Sequence, residues 1–312
     1  MNKTVDVLVT GGGAAGLTAA AYSAKSGLNT LLCERAEKTG GLVNSFSYNG
    51  FVFDAGIRAL EDSGVITPML RSLGASLELV KNPVTVGIAE RNVRLTGEGS
   101  LAEYAALYRS FFPEESAAID SIIAEIVRVM QYMDVLYGIE NPLFLEGELK
   151  DPQYLTKTLL PWLMKYSVNI KKASKLSQPV QEYLRKFTKN ESLIDMICQH
   201  FFAETPTFFA LSYFGLYLDY RYPVGGTGKL PQVLSDYILS HGGEIQTNSE
   251  VVRVIPEAHM AYLADGSEIR YRQLIWSADQ TAFYRAMGEP LPKPIAAKKE
   301  LALKSHGIDS IL

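Results

Sequence analysis

The spacing of apolar and polar positions changes along this chain, and the changes divide it into three regions. The first region begins with an apolar strand at 5–10, an alanine-rich helix at 14–25 and a second apolar strand at 30–33. A short hairpin at 45–56 and a helix at 65–73 follow. This order predicts a strand–helix–strand unit at the start of an α/β domain.

The second region is mostly helical. Alternating segments predict strands near 77–81, 84–88 and 93–95, and helical periodicity takes over at Ser100. The predicted helices lie at 100–112, 114–137, 153–175, 179–188, 190–203 and 206–219. Because strands and helices do not alternate here, this stretch predicts a cap separate from the α/β domain.

The third region returns to strands. Residues 222–226 end the cap, and an amphipathic helix at 229–240 follows them. Asp265-Gly266 predicts a hairpin turn between two of the later strands. The predicted strands lie at 244–247, 251–255, 260–263, 268–271 and 273–276.

Three glycines and one acid in the first region form a nucleotide-binding pattern. Gly11, Gly13 and Gly16 have G-x-G-x-x-G spacing, and Glu34 ends the second strand 18 residues after Gly16. Gly11 permits the tight turn, Gly13 lets a pyrophosphate approach the backbone, and Gly16 lets the helix pack close to the strand. The helix N-terminus offers N–H groups to phosphates, and Glu34 can accept ribose hydroxyl protons. This set predicts a dinucleotide site; a plain strand-to-helix turn is the alternative.

The residues after Glu34 distinguish FAD from NAD. Gly40 and Gly41 follow Glu34 by six and seven residues, and SFSYNGFVFDAG then predicts extended segments where an NAD domain would enter another crossover helix. Here the sequence resembles the FAD-dependent flavoproteins that include phytoene desaturases, protoporphyrinogen oxidase and the amine oxidases. The pattern E-x(5)-GG, S-F and G-F-x-F-D-x-G is most similar to the phytoene-desaturase branch. Leu42 departs from that family, in which an arginine often helps to hold the FAD phosphates.

The third region carries the same resemblance through P-x-GG, GGEI-x-T and a strand that ends in S-A-D. The resemblance implies that the GGEI strand rejoins the nucleotide domain and that Val251 and Val252 lie beside the adenine. It also implies that Ser277 and Ala278 lie near the cofactor. Taken alone, P-x-GG is a turn that opens a helix, and S-A-D is a cap at a strand end. Both local interpretations stay open.

The motifs and the resemblance together give a set of predicted FAD-binding residues. These residues are Gly11, Gly13, Ala14, Ala15, Gly16, Glu34, Arg35, Gly40, Gly41, Leu42, Gly56, Ile57, Val251, Val252, Ser277 and Ala278. The resemblance implies an α/β fold: a Rossmann-like FAD-binding domain of the glutathione-reductase type with an inserted, mostly helical α+β substrate or cap domain.

The domain boundaries follow from the same regions. We expect FAD-domain segments at 1–75 and 222–287, the cap at 76–221, and the start of a truncated return to the cap at 288–312. Only 33 residues follow Asp279, and they lack the strand–glycine–helix segment that closes the domain in relatives. We therefore expect the chain to be part of a longer protein; a naturally short member of the family is the alternative.

Composition limits the expected partners. The net charge of −4, without a basic run, argues against nucleic acid as a partner. Two cysteines, Cys33 and Cys198, without a CxxC pair and four scattered histidines argue against a metal site and favour a reducing cytoplasm. A strand that begins by residue 5 leaves no room for a signal peptide.

Membrane contact is a separate question. No apolar stretch reaches 18 residues, so no spanning helix is expected. Two segments, 155–170 and 206–222, are apolar and aromatic. The second is interpreted as helical core, as the wall of an apolar pocket, or as a peripheral contact with a membrane surface. The oligomeric state is not specified by the sequence.

One charged residue is a candidate for catalysis. Arg58 follows Gly56 by two residues, on the segment that the resemblance puts beside the isoalloxazine. A cation there would stabilise anionic reduced flavin or hold an acidic substrate group. A surface ion pair with Glu61 or Asp62 is the alternative. Four tyrosines are predicted either to line the cavity or to pack in the core, namely Tyr213, Tyr217, Tyr220 and Tyr222.

Three functions are open at this point. The first is an FAD-dependent oxidoreductase of the phytoene-desaturase type, which takes a hydride from a C–C bond of a small apolar, isoprenoid or polyene substrate. Residues 76–220 are then expected to enclose an apolar tunnel. The second is an amine or porphyrinogen oxidase, which shares the nucleotide motifs. The third is a flavin-binding partner protein without turnover.

Overall fold

The computed structural model describes residues 2–60, 64–136, 139, 144, 151–199, 201–287 and 293–305. The chain divides into two compact units. Unit 1 comprises Met1–Arg58, Leu73–Leu79 and Pro223–Leu312, and unit 2 comprises Ala59–Ser72 and Val80–Tyr222.

The described residues form strands and helices in an order close to the predicted one. The strands are β1 (Asn2–Thr10), β2 (Thr30–Cys33), β3 (Ser45–Tyr48), β4 (Phe51–Asp54), β5 (Leu79–Lys81), β6 (Val84–Ile88), β7 (Arg91–Leu95), β8 (Arg221–Pro223), β9 (Glu244–Gln246), β10 (Val251–Ile255), β11 (Met260–Leu263) and β12 (Glu268–Trp276). The α-helices are α1 (Ala14–Lys25), α2 (Ile66–Ser72), α3 (Ser100–Phe111), α4 (Ser116–Leu136), α5 (Pro152–Tyr154), α6 (Leu160–Ala173), α7 (Val180–Leu184), α8 (Glu191–Cys198), α9 (Thr207–Leu218), α10 (Lys229–Ser240), α11 (Gln280–Ala286) and α12 (Lys293–Ser305). A π turn, Leu155–Leu159, joins α5 to α6.

Unit 1 is built on a six-stranded sheet in the order β10-β11-β12-β1-β2-β9. Strands β12, β1, β2 and β9 are parallel, whereas β11 and β10 add an antiparallel edge. All four residues of β2 are buried, as expected for a parallel strand covered on both faces. The parallel order and the helix between β1 and β2 confirm the predicted Rossmann-like fold.

A hairpin of β3 and β4 extends from unit 1. Asn49 and Gly50 form its turn with φ of 49° and 81°. Positive φ at both central positions is typical of the two-residue turn that matches the twist of a hairpin, and Asn-Gly is its preferred sequence. This hairpin confirms the extended segment that separates the chain from an NAD domain.

Unit 2 has a helical core with a small two-stranded sheet, β6–β7. One face of α4 buries Ile119, Ile122 and Ile126, and α9 contributes Leu211 and Phe214 to the same cluster. Apolar residues three or four positions apart on each helix explain this packing. Among the described residues, none of the helices is both long and apolar enough to cross a membrane.

Several predicted boundaries differ from the structure. The strands predicted at 268–271 and 273–276 are one nine-residue strand, β12, because its whole length pairs with β1. Residues 59–72 group with unit 2, because Leu60 exchanges backbone hydrogen bonds with Arg221, both 2.9 Å long. Helix α12, predicted to return to the cap, contacts α11 and groups with unit 1. The strand start expected after it lies outside the described residues.

Candidate cofactor site

The turn between β1 and α1 is held by backbone contacts that only glycine permits. Gly11 has φ of 97°, and its N–H donates to Cys33 O at 2.8 Å. A Cβ on Gly11 would lie 2.8 Å from the backbone nitrogen of Ala278. A side chain at this position would therefore clash and would also be strained in the left-handed region. Glycine at this position therefore allows the sharp turn of the chain next to the end of β12.

Gly16 is tightly packed, whereas Gly13 faces open space. A Cβ on Gly16 would lie 1.9 Å from Gly11 O, so α1 can pack this closely only without a side chain at Gly16. A Cβ on Gly13 would meet no atom within 4 Å. The space beside Gly13 is thus open to a ligand.

The N-terminus of α1 borders this open space. Gly13 is its N-cap, no side chain caps the first turn, and the first turn contains no acidic residue. Ala14 is half-buried and Ala15 is exposed. The first N–H groups of a helix lack partners within the helix, and the helix dipole adds partial positive charge. This end of α1 can therefore hold a phosphate group.

Glu34 is anchored by two backbone donors. Its Oε2 accepts from Gly12 N–H at 2.5 Å, and its Oε1 accepts from Ala36 N–H at 2.8 Å. The residue is half-buried, and the neighbouring Arg35 is exposed. Each carboxylate oxygen has two lone pairs, so Glu34 keeps acceptor capacity for ribose hydroxyls. The bonds to Gly12 and Ala36 fix the direction of the carboxylate.

Gly12 is a site residue that the motif analysis missed. A Cβ on it would lie 3.0 Å from both Cβ and Oε2 of Glu34. Any side chain there would push Glu34 away from the turn. The run of three glycines at 11–13 was the available signal. The G-x-G-x-x-G motif leaves its second position, here Gly12, unspecified, so an extra glycine there indicates a separate requirement.

The second glycine pair lies against the first turn. Gly40, with φ of 122°, donates its N–H to Gly12 O at 2.7 Å. A Cβ on Gly41 would lie 3.3 Å from Gly13 Cα. The structure thus brings the predicted residues of both glycine motifs together beside the N-terminus of α1.

The segment that contains Arg58 lies beside Leu42. Ile57 N–H donates to Leu42 O at 3.1 Å, and a Cβ on Gly56 would lie 2.2 Å from the same oxygen. The side chains of Leu42, Ile57 and Arg58 are exposed. Glu61 and Asp62, the alternative partners of Arg58, lie outside the described residues.

The FAD-binding residues predicted in the third region lie in two places, at the β1–α1 turn and on β10. Ser277 N–H donates to Thr10 O at 2.8 Å, which places Ser277 and Ala278 beside the β1–α1 turn. Val251 is buried in the core of unit 1, whereas Val252 is exposed, because neighbouring side chains of a strand point to opposite faces of the sheet. The side chain of Val252, not that of Val251, is therefore accessible to a ligand.

Asp279, the last residue of S-A-D, has the structural role of a cap. Its Oδ1 accepts from Ala282 N–H at 2.8 Å at the start of α11. The local interpretation thus holds for Asp279, while its two neighbours in the motif lie at the turn.

Asp54 organises the rim of the site and was not predicted to have a role. Its Oδ1 accepts from Thr227 N–H at 3.0 Å and from the Thr227 hydroxyl at 2.9 Å. The same hydroxyl lies 3.0 Å from Asn44 O, and Ser45 Oγ accepts from Gly228 N–H at 2.9 Å. Asp54 therefore ties the hairpin to the start of α10. Its place in G-F-x-F-D-x-G was the signal.

Among the residues that the structure describes, the cysteines and histidines do not form a second reactive centre. Both cysteines are buried, and burial raises the pKa of the Cys33 thiol, like that of Cys198, to about 12. His241 stacks on Tyr237, and His259 follows a short 3-10 turn. His200 and His306 lie outside the described residues. Within the described ranges, no group of three or more acidic, histidine or cysteine residues is arranged to hold a metal ion.

The tyrosines near the end of unit 2 pack on one another. The rings of Tyr213 and Tyr217 lie 5.0 Å apart edge-to-face, those of Tyr217 and Tyr220 lie 5.6 Å apart, and the Tyr220 hydroxyl donates to the Tyr213 hydroxyl at 3.0 Å. Such contacts favour the core interpretation for these three residues. Tyr222 is half-buried. The apolar tunnel stays a prediction.

The arrangement fits a dinucleotide. An open space beside Gly13, a free helix N-terminus and the anchored Glu34 are the features that a pyrophosphate and a ribose need. The fold and this site define the class as a Rossmann-like dinucleotide-binding protein. The profile of the family described as flavin containing amine oxidoreductase matches residues 14–308. The chain therefore belongs to this family of FAD-dependent oxidoreductases, and its cofactor is FAD.

Curated relatives extend the resemblance over nearly the whole chain. The prolycopene isomerase of Daucus carota is 26% identical over 333 residues, which cover 99% of this chain and 52% of that protein. The prolycopene isomerase of Arabidopsis thaliana is 26% identical over 329 residues, with coverage of 98% and 53%. The inactive all-trans-retinol 13,14-reductase of Danio rerio is 24% identical over 275 residues, with coverage of 80% and 42%. The chain spans about half the length of the curated relatives it matches.

Solved structures share the fold. An oxidoreductase from Methanosarcina mazei superposes with a TM-score of 0.64 at 18% identity, over 98% of this chain and 65% of that one. Putrescine oxidase bound to putrescine gives a TM-score of 0.60 at 15% identity, over 96% and 64%. At such identities the likeness concerns the fold alone.

Proposed function

We propose that this protein is an FAD-dependent oxidoreductase of the phytoene-desaturase type, which takes a hydride from a C–C bond of an apolar isoprenoid or polyene. One observation carries the proposal. The similarity to prolycopene isomerases extends over 98–99% of the chain, so it includes unit 2 as well as the nucleotide motifs of unit 1.

Bound FAD supplies the hydride-accepting ring, which leaves binding, orientation and exclusion of water to the protein. The N–H groups at the start of α1 would hold the pyrophosphate, and Glu34 would hold the adenosine ribose. Gly40 and Gly41 let the backbone lie close to Gly12 and Gly13 without side chains in the way. These contacts would fix one end of the cofactor.

Arg58 is the proposed catalytic residue. It is exposed, and it follows the Gly56-Ile57 segment, which contacts Leu42 close to the second glycine pair. Its positive charge could stabilise negative charge that develops on the reduced ring.

A second candidate is cis–trans isomerisation of the same class of polyene. It is favoured by two of the most similar curated relatives, which are named prolycopene isomerases. An isomerase would change double-bond geometry without net oxidation. An amine oxidase is the third candidate, because this chain shares its fold with putrescine oxidase.

The experiment is an anaerobic incubation of the flavin-loaded protein with one substrate at a time. The panel consists of a cis-configured carotenoid, putrescine and a porphyrinogen, with free FAD as the control. Loss of the oxidised flavin absorbance with the carotenoid alone, together with a product that has one more double bond, would support the proposal. Bleaching by putrescine or the porphyrinogen alone would refute it. A geometric isomer formed without lasting bleaching would favour the second candidate instead.

A further inference from the structure

Helix α6 of unit 2 carries an exposed apolar face. Leu160, Leu163, Met164 and Val168 lie at positions three or four apart, and they are 54%, 43%, 60% and 55% exposed. Such spacing puts the four side chains on one side of the helix. Trp162, on the opposite side, donates its indole N–H to Val135 O of α4 at 2.7 Å. The helix therefore packs on α4 with one side and leaves a second apolar side uncovered.

The surroundings of this face are strongly basic. Lys157, Lys165, Lys171, Lys172 and Lys175 lie between Asp151 and Glu182, and no acidic residue occurs between those two positions. This local excess of positive charge contrasts with the net charge of −4 of the whole chain. Lys157 and Lys165 also border an open cavity beside Trp162. Lys172 Nζ lies 5.6 Å from the ring centroid of Tyr132 on α4, so Lys172 belongs to the packed side of the helix. We call the four apolar residues and the other four lysines the α6 face.

We propose that the α6 face binds the surface of an anionic lipid bilayer, with α6 lying in the plane of the interface. A helix that is apolar on one side and lysine-rich at its flanks is the type that inserts its apolar side between lipid headgroups. Long lysine side chains can keep their ammonium groups at headgroup level while their stems contact apolar surface. The helix does not meet the criteria for a spanning segment.

The charge also argues against a second copy of this chain as the occupant. In a two-fold symmetric dimer the same patch would contact itself, so the lysines of both copies would be brought together. A negative lipid surface instead attracts every lysine near it. The proposal depends on the α6 face alone and is independent of which substrate the protein takes.

Flotation with lipid vesicles tests the proposal on the purified flavin-loaded protein. The vesicles contain phosphatidylcholine alone or phosphatidylcholine mixed with phosphatidylglycerol, at low and at high salt. We expect binding to the anionic vesicles to be at least about tenfold stronger than to the neutral ones, and to weaken at high salt.

Two double variants separate the apolar and the charged contributions. Leu160→Ser/Leu163→Ser removes two exposed leucines, and its matched control is Leu28→Ser/Leu239→Ser, whose leucines are 37% and 54% exposed elsewhere. Lys165→Glu/Lys171→Glu reverses two charges, and its matched control is Lys81→Glu/Lys298→Glu. Each α6 variant should lose at least about tenfold in vesicle affinity, and each control should keep the affinity of the wild type.

Three results would contradict membrane binding by the α6 face. Wild-type protein that stays below the anionic vesicles would overturn the proposal, and so would equal losses in the α6 variants and their controls. Self-association that disappears in Leu160→Ser/Leu163→Ser, without any vesicle binding, would show that the face is a protein contact. Circular dichroism verifies that each variant is folded. If the leucine variant fails to fold, the lysine pair and its control still decide the matter.

Discussion

Glu34 Oε2 accepts a hydrogen bond of 2.5 Å from the backbone N–H of Gly12, which links the end of β2 to the turn after β1. The contact joins the residue expected to hold the ribose to the loop expected to hold the pyrophosphate. A change in either residue should therefore affect the same cofactor.

Replacing Glu34 should weaken FAD binding more than it disturbs the fold. Glu34→Ala removes a charged acceptor, and we expect a loss of about 1–3 kcal/mol in FAD binding free energy. Glu34→Gln keeps one carbonyl oxygen for Gly12 or Ala36, so its loss should be smaller. Titration of the apoprotein with FAD measures both. Dissociation constants equal to that of the wild type in both variants would mean that Glu34 is not a ligand of the cofactor.

The glycines should separate cofactor binding from stability. Gly13→Ala places a methyl group in open space at φ of −70°, so its free energy of unfolding should stay within about 1 kcal/mol of the wild type. Its FAD affinity should fall at least about tenfold, because the methyl group occupies the space beside the helix N-terminus.

Gly16→Ala is the matched variant with the opposite expectation. Its Cβ would lie 1.9 Å from Gly11 O, so α1 would have to move away from β1. We expect a loss of about 1–3 kcal/mol in unfolding free energy, as for overpacked sites. Denaturant unfolding of the two apoproteins measures the difference. Equal stabilities, or a Gly13→Ala variant with wild-type FAD affinity, would contradict the assignment.

Stability should fall in alkaline solution because of the buried thiols. Burial raises the pKa of Cys33 from its ordinary value of 9.0 to about 12, and the pKa of Cys198 changes in the same way. The unfolded chain therefore loses these protons at lower pH than the folded one does. The stabilisation is complete below about pH 9 and is lost as pH rises toward about 12.

The effect can be measured as the change of unfolding free energy with pH. Each ionising thiol can contribute at most about 1.4 kcal/mol of unfolding free energy per pH unit. Unfolding curves recorded from neutral to alkaline pH should show a shallower decline for Cys33→Ala than for the wild type. Identical slopes in both proteins would argue against a buried, neutral thiol at this position.

Arg58 should affect reactivity more than cofactor affinity. We expect Arg58→Gln to bind FAD within about threefold of the wild type but to make the flavin harder to reduce, because a cation near the ring stabilises its anionic reduced form. The midpoint potential measures this directly. The control is Arg94→Gln, which removes an exposed arginine on β7. An unchanged potential in Arg58→Gln would favour the surface role.

Elements with a strong local signal could be predicted from the sequence. The bounds of α1, β2 and α10 agree with the prediction. The two helices end just before glycine turns at Gly27 and Gly242, and β2 is a short apolar run that begins soon after Gly27. The convergence of Gly11, Gly13 and Glu34 was also predictable, because a parallel strand–helix–strand unit brings both strand ends to one edge.

Features that depend on distant partners could not be predicted. The assignment of residues 59–72 to unit 2 rests on the pairing of Leu60 with Arg221, which no local pattern reveals. The exposure of two consecutive residues, Val252 and Arg253, follows from an irregularity in the pairing of β10 with β11. The role of Asp54 needs Thr227, which is 173 positions away in sequence.

The central claim is that the full-length protein holds FAD noncovalently around the N-terminus of α1. The most direct measurement is to supply the purified full-length protein with FAD, remove the unbound cofactor, denature the protein and analyse the supernatant by absorbance and mass spectrometry. No cysteine or histidine lies in a recognisable flavin-linking motif, so intact FAD should appear in the supernatant in a ratio of about one per chain, as expected for one dinucleotide site. A nicotinamide dinucleotide in place of FAD, or a flavin that stays with the precipitated protein, would contradict the account.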